Sequence, residues 1–215
     1  ATINYPATPY CATGTANVTQ SGQSGGTYTS TAGLVINSST GAIDLASSTS
    51  GTYSVTYTYI GSNGCANTST TTVTIDALPG SIISTSGPVS FCSGGSVTLT
   101  ASAGTSWLWS NGSTNQTIIV NTSGTYSVTT TANGCQSNSS PVVVTVTPYP
   151  ILTYTGSTYI CEGSSTTLTV SGASSYTWSP AEILNTAIGN TVVATPLTNP
   201  TTVTVTGNTN GCLSS

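Results

Sequence analysis

Three imperfect copies of one sequence pattern divide the chain, and this repetition constrains the fold more than any other feature. The heptapeptide SGTYSVT occurs at residues 50–56 and again at 123–129. CSGGSVTLT at Cys92 matches CEGSSTTLT at Cys161, and CATGTANVT at Cys11 is a looser copy. Each copy also carries an Asn-Gly-Cys turn, which ends at Cys65, Cys135 or Cys212. Such self-similarity predicts similar folded units in tandem.

The boundaries between repeats fall at two Pro-containing links, residues 76–79 and 147–150. The predicted repeats are therefore residues 1–77, 78–148 and 149–215. Because Pro restricts its own φ and the residue before it, we expect the repeats to follow one another end to end in an elongated rod. After their turns the first two repeats continue into TTTVTID and PVVVTVT, whereas the third ends soon after its turn. We therefore expect the third repeat to lack its last strand.

Polar and apolar residues alternate with a period of two inside each repeat. Val97, Leu99 and Ala101, for example, are separated by single threonines. This alternation is typical of strands that have one face in a core and the other in water. Asn-Gly dipeptides suit tight hairpins, and about seven short strands per repeat are expected of an immunoglobulin-like sandwich. The sequence therefore predicts an all-β chain of tandem immunoglobulin-like β-sandwich domains.

Two pairs of aromatic residues support this fold class. Trp109 and Trp178 follow the first long strand of their repeats, where such a sandwich places its buried core Trp. Tyr53 and Tyr126 each follow Ser-Gly-Thr and precede a Val strand, which is the position of the tyrosine corner. We predict that both tryptophans lie in the core and that both tyrosines form corners.

The charge composition excludes whole classes of function. The chain contains no Lys, Arg or His, and its net charge is -4. Nucleic acid and anionic membrane surfaces are therefore excluded as partners, since both require cationic side chains. Most general bases, phosphate clamps and metal ligands are also missing, so we expect no enzyme activity and no cofactor. No apolar run is long enough to span a membrane, so we expect no membrane insertion in this segment.

Six cysteines at recurring positions predict disulfides and hence an extracellular setting. We call the first cysteine of each repeat its leading cysteine (Cys11, Cys92, Cys161) and the later one its turn cysteine (Cys65, Cys135, Cys212). The simplest pairing joins the two cysteines within each repeat. In a sandwich, however, these two lie at opposite ends, so we favour bonds between repeats, which join Cys11 to Cys135 and Cys92 to Cys212. Cys65 and Cys161 would then bond neighbours outside this chain.

Over essentially its whole length, the chain resembles the immunoglobulin-like repeats of very large surface proteins of Bacteroidota. The resemblance lies in GGTYTSTAGLVINSSTGAIDLASSTSGTYSVTYTY of the first repeat and FCSGGSVTLTASAGTSWLWSNGSTNQTIIVNTSGTYSVTTTANGC of the second. Such proteins include gliding-motility adhesins and other cargo of the type IX secretion system. The resemblance implies export to the cell surface and a role in adhesion or in movement over surfaces. Because the chain begins at Ala1, without Met, we expect an internal segment of a longer protein.

Two functions remain open after these exclusions. The favoured one is a non-catalytic extracellular stalk or spacer, whose partners are adjacent repeats and, in a filament, like chains. The alternative is a module that binds a surface polysaccharide, for which Trp107 and Tyr176 are the candidate contacts because aromatic faces bind sugars. Glu162 and Glu182 resemble a glycosidase pair only in number, and we interpret both as loop residues. A single acid at the first link, Asp76, is too few for calcium.

Overall fold

A computed structural model describes residues 1–157, 159–196, 198 and 200–215 of the chain. Within these residues the regular structure consists of short β-strands and one three-residue 3-10 helix, Ala181–Ile183. The all-β class predicted from the sequence is confirmed. No helix in the described part of the chain is long and apolar enough to cross a bilayer.

The first repeat forms a sandwich around one apolar core. Its sheets have the orders β1-β4, β2-β9-β8-β5 and β3-β7-β6. All three sheets contribute buried side chains, among them Ile3, Ile43 and Val55. The strands are β1 (Thr2–Asn4), β2 (Tyr10–Cys11), β3 (Thr15–Ala16), β4 (Thr19–Ser21), β5 (Thr27–Ser30), β6 (Val35–Ile36), β7 (Ile43–Asp44), β8 (Gly51–Ile60) and β9 (Ala66–Asp76).

The second repeat contains three sheets of three strands. Their orders are β10-β12-β14, β11-β18-β15 and β13-β16-β17. Every pairing with a known register is antiparallel except that of β11 with β18, which is parallel. The strands are β10 (Ile83–Thr85), β11 (Ser90–Cys92), β12 (Val97–Ala101), β13 (Ser106–Trp109), β14 (Thr117–Val120), β15 (Gly124–Tyr126), β16 (Val128–Ala132), β17 (Cys135–Asn138) and β18 (Val142–Thr147).

The third repeat has two sheets of three strands, in the orders β19-β20-β22 and β21-β23-β24. Val170, Trp178 and Val192 form its buried core, and half-buried apolar residues such as Leu168 and Val205 pack against them. The strands are β19 (Thr153–Thr155), β20 (Thr166–Ser171), β21 (Ser175–Ser179), β22 (Thr191–Ala194), β23 (Thr204–Thr209) and β24 (Cys212–Ser214).

The chain divides into two compact units that do not coincide with the repeats. Unit 1 consists of residues 1–84, 100–117 and 127–141. Unit 2 consists of residues 85–99, 118–126 and 142–215. Segments of the second repeat contribute to both units. The three repeat boundaries taken from the sequence stay predictions.

The predicted alternation and core aromatics are present in the strands. In β12, Val97, Leu99 and Ala101 are buried while the threonines between them are half-buried. Trp109 and Trp178 are buried as predicted, and each indole N–H donates a hydrogen bond to a backbone carbonyl, of Asn115 and Gly189 respectively. The buried donors are thus satisfied, which avoids the cost of a desolvated N–H group.

Both predicted tyrosine corners are also present. The Tyr53 hydroxyl donates to the Thr49 carbonyl at 2.7 Å, and the Tyr126 hydroxyl donates to the Thr122 carbonyl at 3.2 Å. In each case the acceptor lies four residues upstream, so the tyrosine fastens the start of its strand to the preceding turn.

Candidate functional site: cysteine cross-links between repeats

Two turn cysteines are positioned by tight hairpins. Cys135 pairs with Ala132 across the turn between β16 and β17, and Cys212 pairs with Thr209 between β23 and β24. In both two-residue turns the Asn and the Gly have positive φ, of 51° and 78° in the first and 50° and 87° in the second. Asn-Gly suits this conformation, which matches the twist of the flanking strands. Both cysteines are buried.

Two leading cysteines end short strands that run parallel to the last strand of their own repeat. Cys11 of β2 lies beside Asp76 of β9, and Cys92 of β11 lies beside Thr147 of β18. The next residue of each segment adds a further backbone hydrogen bond: Ala12 N–H donates to the Asp76 carbonyl and Ser93 N–H to the Thr147 carbonyl, both at 2.9 Å. Each leading cysteine is thus held at the end of the last strand of its repeat.

Each of the two disulfides joins a leading cysteine to the turn cysteine of the next repeat. Cys11 is bonded to Cys135, with 5.5 Å between their Cα atoms, and Cys92 is bonded to Cys212, with 5.6 Å. The two bonds bridge sequence separations of 124 and 120 residues. The inter-repeat pairing favoured by the sequence is confirmed for these four cysteines, and the simpler pairing within repeats is wrong for them.

The first repeat explains why its two cysteines do not pair with each other. Cys65 directly precedes β9, whereas Cys11 lies beside Asp76, the last of the 11 residues of that strand. At the usual rise of a strand, the ends of β9 are about 33 Å apart. A disulfide requires Cα atoms within about 7 Å. The length of the last strand therefore excludes the bond.

Cys65 and Cys161 bond no other cysteine of the chain, and both are exposed. The turn that holds Cys65 differs from the other two, because Ile60 pairs with Ala66 and a five-residue loop, residues 61–65, connects β8 to β9. Cys161 occupies the place of Cys92 in the third repeat, where residues 159–161 form no strand. Bonding of these two cysteines to neighbours outside the chain stays a prediction.

The two candidate ligand contacts occupy matched positions on equivalent strands. Trp107 lies in β13 two residues before Trp109, and Tyr176 lies in β21 two residues before Trp178. Both side chains are half-buried. The Trp107 indole N–H donates to the Ser102 carbonyl at 3.0 Å, and the Tyr176 hydroxyl donates to the Ala173 carbonyl at 2.7 Å. The polar atoms of both side chains are thus already hydrogen-bonded within their own repeat. The surface of the rings is the part that remains available to a ligand.

The acidic residues form no cluster in the described residues that could hold a metal, because no three His, Cys, Asp or Glu side chains come together there. Glu162 is exposed, and Glu182 lies in the short 3-10 helix. Asp44 accepts hydrogen bonds from the backbone N–H groups of Ala46 and Ser47. Hydrogen bonds from Ser47, followed by that from Ala46, lower the pKa of this carboxyl, which caps a turn.

The strand orders, the buried tryptophans and the tyrosine corners define the class: the chain is an all-β protein of tandem immunoglobulin-like sandwiches. Neither a protein-family model nor a curated protein sequence matches it. The fold assignment therefore rests on the chain's own strand pairing and core.

Solved structures with immunoglobulin domains are similar at low sequence identity. The N-terminal eight Ig domains of Down Syndrome Cell Adhesion Molecule are 13% identical with a TM-score of 0.44, and the match covers 92% of this chain but only 37% of that one. A Ca2+-stabilized adhesin that helps an Antarctic bacterium bind ice is 15% identical with a TM-score of 0.34 (99% and 71% covered). A Bacteroides ovatus SGBP-B, solved with a mixed-linkage heptasaccharide, is 15% identical with a TM-score of 0.22 (91% and 56% covered).

Proposed function

We propose that this chain is a non-catalytic stalk or spacer segment of a repetitive cell-surface adhesin, located outside the cell. The observation that carries the proposal is the pair of disulfides, each of which joins one repeat to the next. A spacer has to transmit force between its ends with limited extension, and covalent links across successive repeats suit that task. Disulfides also persist mainly in oxidising, extracellular settings.

The surface of the strands suits a spacer as well. Outward positions are filled mainly by Thr and Ser, as in β8 and β9, where Thr58 and Thr68 face each other across the hairpin. Threonine is a good strand former and is hydrated without charge. Two further parts of the proposal rest on the sequence resemblance: a distant tip supplies the adhesion or gliding function, and the protein is exported by type IX secretion. Lateral assembly into a filament rests instead on the scarcity of charged residues, which usually protect strand edges from pairing.

The stalk function is tested by tethering the chain to a surface at Ser215 and attaching a biotin tip at Ala1. Beads coated with streptavidin are then captured under flow. The spacer function predicts that a captured bead stays close to its anchor at rising shear with the oxidised chain, and that it moves further from the anchor when Cys11→Ala/Cys135→Ala removes one cross-link. Equal bead displacement with both chains at every shear would contradict the role of the cross-links in bearing load.

A second function, binding of a surface polysaccharide, is favoured by the half-exposed rings of Trp107 and Tyr176 at equivalent strand positions. Affinity gel electrophoresis in neutral polysaccharides tests it. Retardation that disappears in Trp107→Ala, and persists in the control Leu108→Ala on the same strand, would favour the binding module. Identical mobility with and without every polysaccharide would favour the spacer.

A further inference from the structure

A groove in the third repeat lies where the first two repeats hold their last strand. The groove encloses about 530 Å³, and apolar residues such as Leu152, Leu168, Trp178 and Val205 form much of its wall. Ile160 and Val203 also line it, and so does Ser215. All of these residues belong to unit 2.

The second repeat identifies what this groove corresponds to. There β18 runs between two neighbours, parallel to β11 and antiparallel to β15. Alignment on the leading cysteines matches β11 to residues 159–161, and alignment on the turn cysteines matches β15 to residues 201–203. Neither of these two segments forms a strand in the third repeat, although β11 and β15 do in the second. Both segments that would flank a last strand are thus present, but neither is paired in a β-sheet.

Burial changes in the same place. Leu99 of the second repeat is fully buried, whereas its counterpart Leu168 is only half-buried. Val128 is buried, and its counterpart Val205 is half-buried. Apolar side chains that the second repeat encloses are therefore accessible from the groove. Their burial by an added strand would contribute stability in proportion to the apolar area covered.

The last strands of the first two repeats, β9 and β18, share one pattern of apolar and outward-facing residues. Val73 and Ile75 of β9 and Val144 of β18 are buried, and they alternate with residues that face outward. Val143, for example, is 60% exposed. The occupant that fits is an extended segment with small β-branched apolar residues at alternate positions.

We propose that the groove receives an extended polypeptide segment that adds a β-strand with the alternating pattern of β18. The inserted strand pairs in parallel with residues 159–161 and antiparallel with residues 201–203.

The register of this strand can be tested by disulfide trapping on the complete chain. Cys92 lies beside Thr147, so the same register places the counterpart of Thr147 beside Cys161. The probe is a peptide with the sequence of residues 139–148, a soluble polar tail and Cys in place of Thr147, with this Cys activated as a 2-thiopyridyl disulfide. Attack by the Cys161 thiolate forms the mixed disulfide and releases 2-thiopyridone. This reaction should be about tenfold faster at Cys161 than at Cys65, because pairing raises the local concentration of the reacting groups. Cys65 is the internal control, since it is also exposed and free.

The face of the strand is tested by matched peptides without cysteine. In a fluorescence anisotropy assay, the change Val144→Asn in the peptide should weaken binding about tenfold or more, since it removes a buried apolar side chain and buries an amide. The change Val143→Asn should leave binding within about twofold, because that position faces outward.

An intramolecular competitor tests whether the groove holds a single added strand: the sequence of residues 139–148 is attached directly after Ser215. The extended chain should remain monomeric, melt at a higher temperature and no longer capture the peptide. Equal reaction of the cysteine peptide with Cys65 and Cys161, or peptide capture by the extended chain as strong as by the original one, would overturn the proposal. A dimer of the original chain in which a second copy fills the groove without adding a strand would also overturn it.

Discussion

Reduction of the two disulfides should increase nearly fourfold the length to which a single chain can be pulled from its ends. In the oxidised chain the shortest covalent route enters at Ala1, crosses from Cys11 to Cys135, runs back to Cys92 and crosses to Cys212. The backbone on that route amounts to roughly 56 peptide steps, so the fully stretched chain reaches about 200 Å. The reduced chain can stretch along all of its 215 residues, to about 750 Å.

The same route determines which parts of the chain feel the load. Residues 12–91 and 136–211 lie off the shortest covalent path, so most of the first and third repeats are shielded once the disulfides carry force. Apart from the short ends, residues 1–11 and 212–215, only the segment between Cys92 and Cys135 can be pulled out. A stalk built in this way yields by a limited length and then resists, which is the mechanical behaviour expected of a load-bearing spacer.

Single-molecule force spectroscopy with handles at both termini measures this difference. The Cys65→Ser/Cys161→Ser variant serves as the protein under test, because it excludes disulfides that involve the two free cysteines. Total extension should stop near 200 Å without reductant and approach 750 Å with it. An oxidised chain that extends beyond about 300 Å while mass spectrometry finds both bonds intact would refute the load path.

Three further predictions concern stability. Cys11→Ala/Cys135→Ala should lower the free energy of unfolding in urea by up to about 5 kcal/mol, since the bond closes a loop of 124 residues; a midpoint equal to that of Cys65→Ala would contradict this. Tyr126→Phe should cost about 1 kcal/mol by removing the corner hydrogen bond, whereas Tyr159→Phe, at a 94% exposed position, should cost nothing measurable by the same urea titration. Tyr5 is buried and its hydroxyl donates to the Gly41 carbonyl; burial above all, and then the neighbouring Tyr28 and Tyr10, raise its pKa well above the ordinary value. A raised folded-state pKa contributes stability that is present below the unfolded pKa of about 10 and is lost as pH rises above it. The fall in melting temperature between about pH 9 and pH 11 should therefore be smaller in Tyr5→Phe, and an unchanged fall would be the contrary result.

The sequence predicted the features that depend on local chemistry or on repeated position. Trp109 and Trp178 could be placed in the core because each follows a strand of strict alternation, and the two-residue Asn-Gly turns follow from the positive φ that these residues tolerate. The bonds between repeats followed from topology, since leading and turn cysteines of one sandwich lie at opposite ends.

The features that were missed depend on pairing between distant segments. The parallel pairing of β2 with β9, and of β11 with β18, fixes the leading cysteines, yet strands of two or three residues are too short to show alternation. The longer loop that holds Cys65 was not anticipated, because its Asn-Gly-Cys sequence matches the two tight turns. The groove of the third repeat is lined by residues from across that repeat, which only the folded chain brings together.

The cysteine pairing is the central claim, and peptide mapping of the unreduced protein tests it most directly. Chymotrypsin or pepsin is required, because the chain contains no Lys or Arg for trypsin to cleave after. The account predicts linked peptides that contain Cys11 with Cys135 and Cys92 with Cys212. Recovery of Cys92 linked to Cys135 would contradict cross-linking between repeats and, with it, the proposed load-bearing stalk.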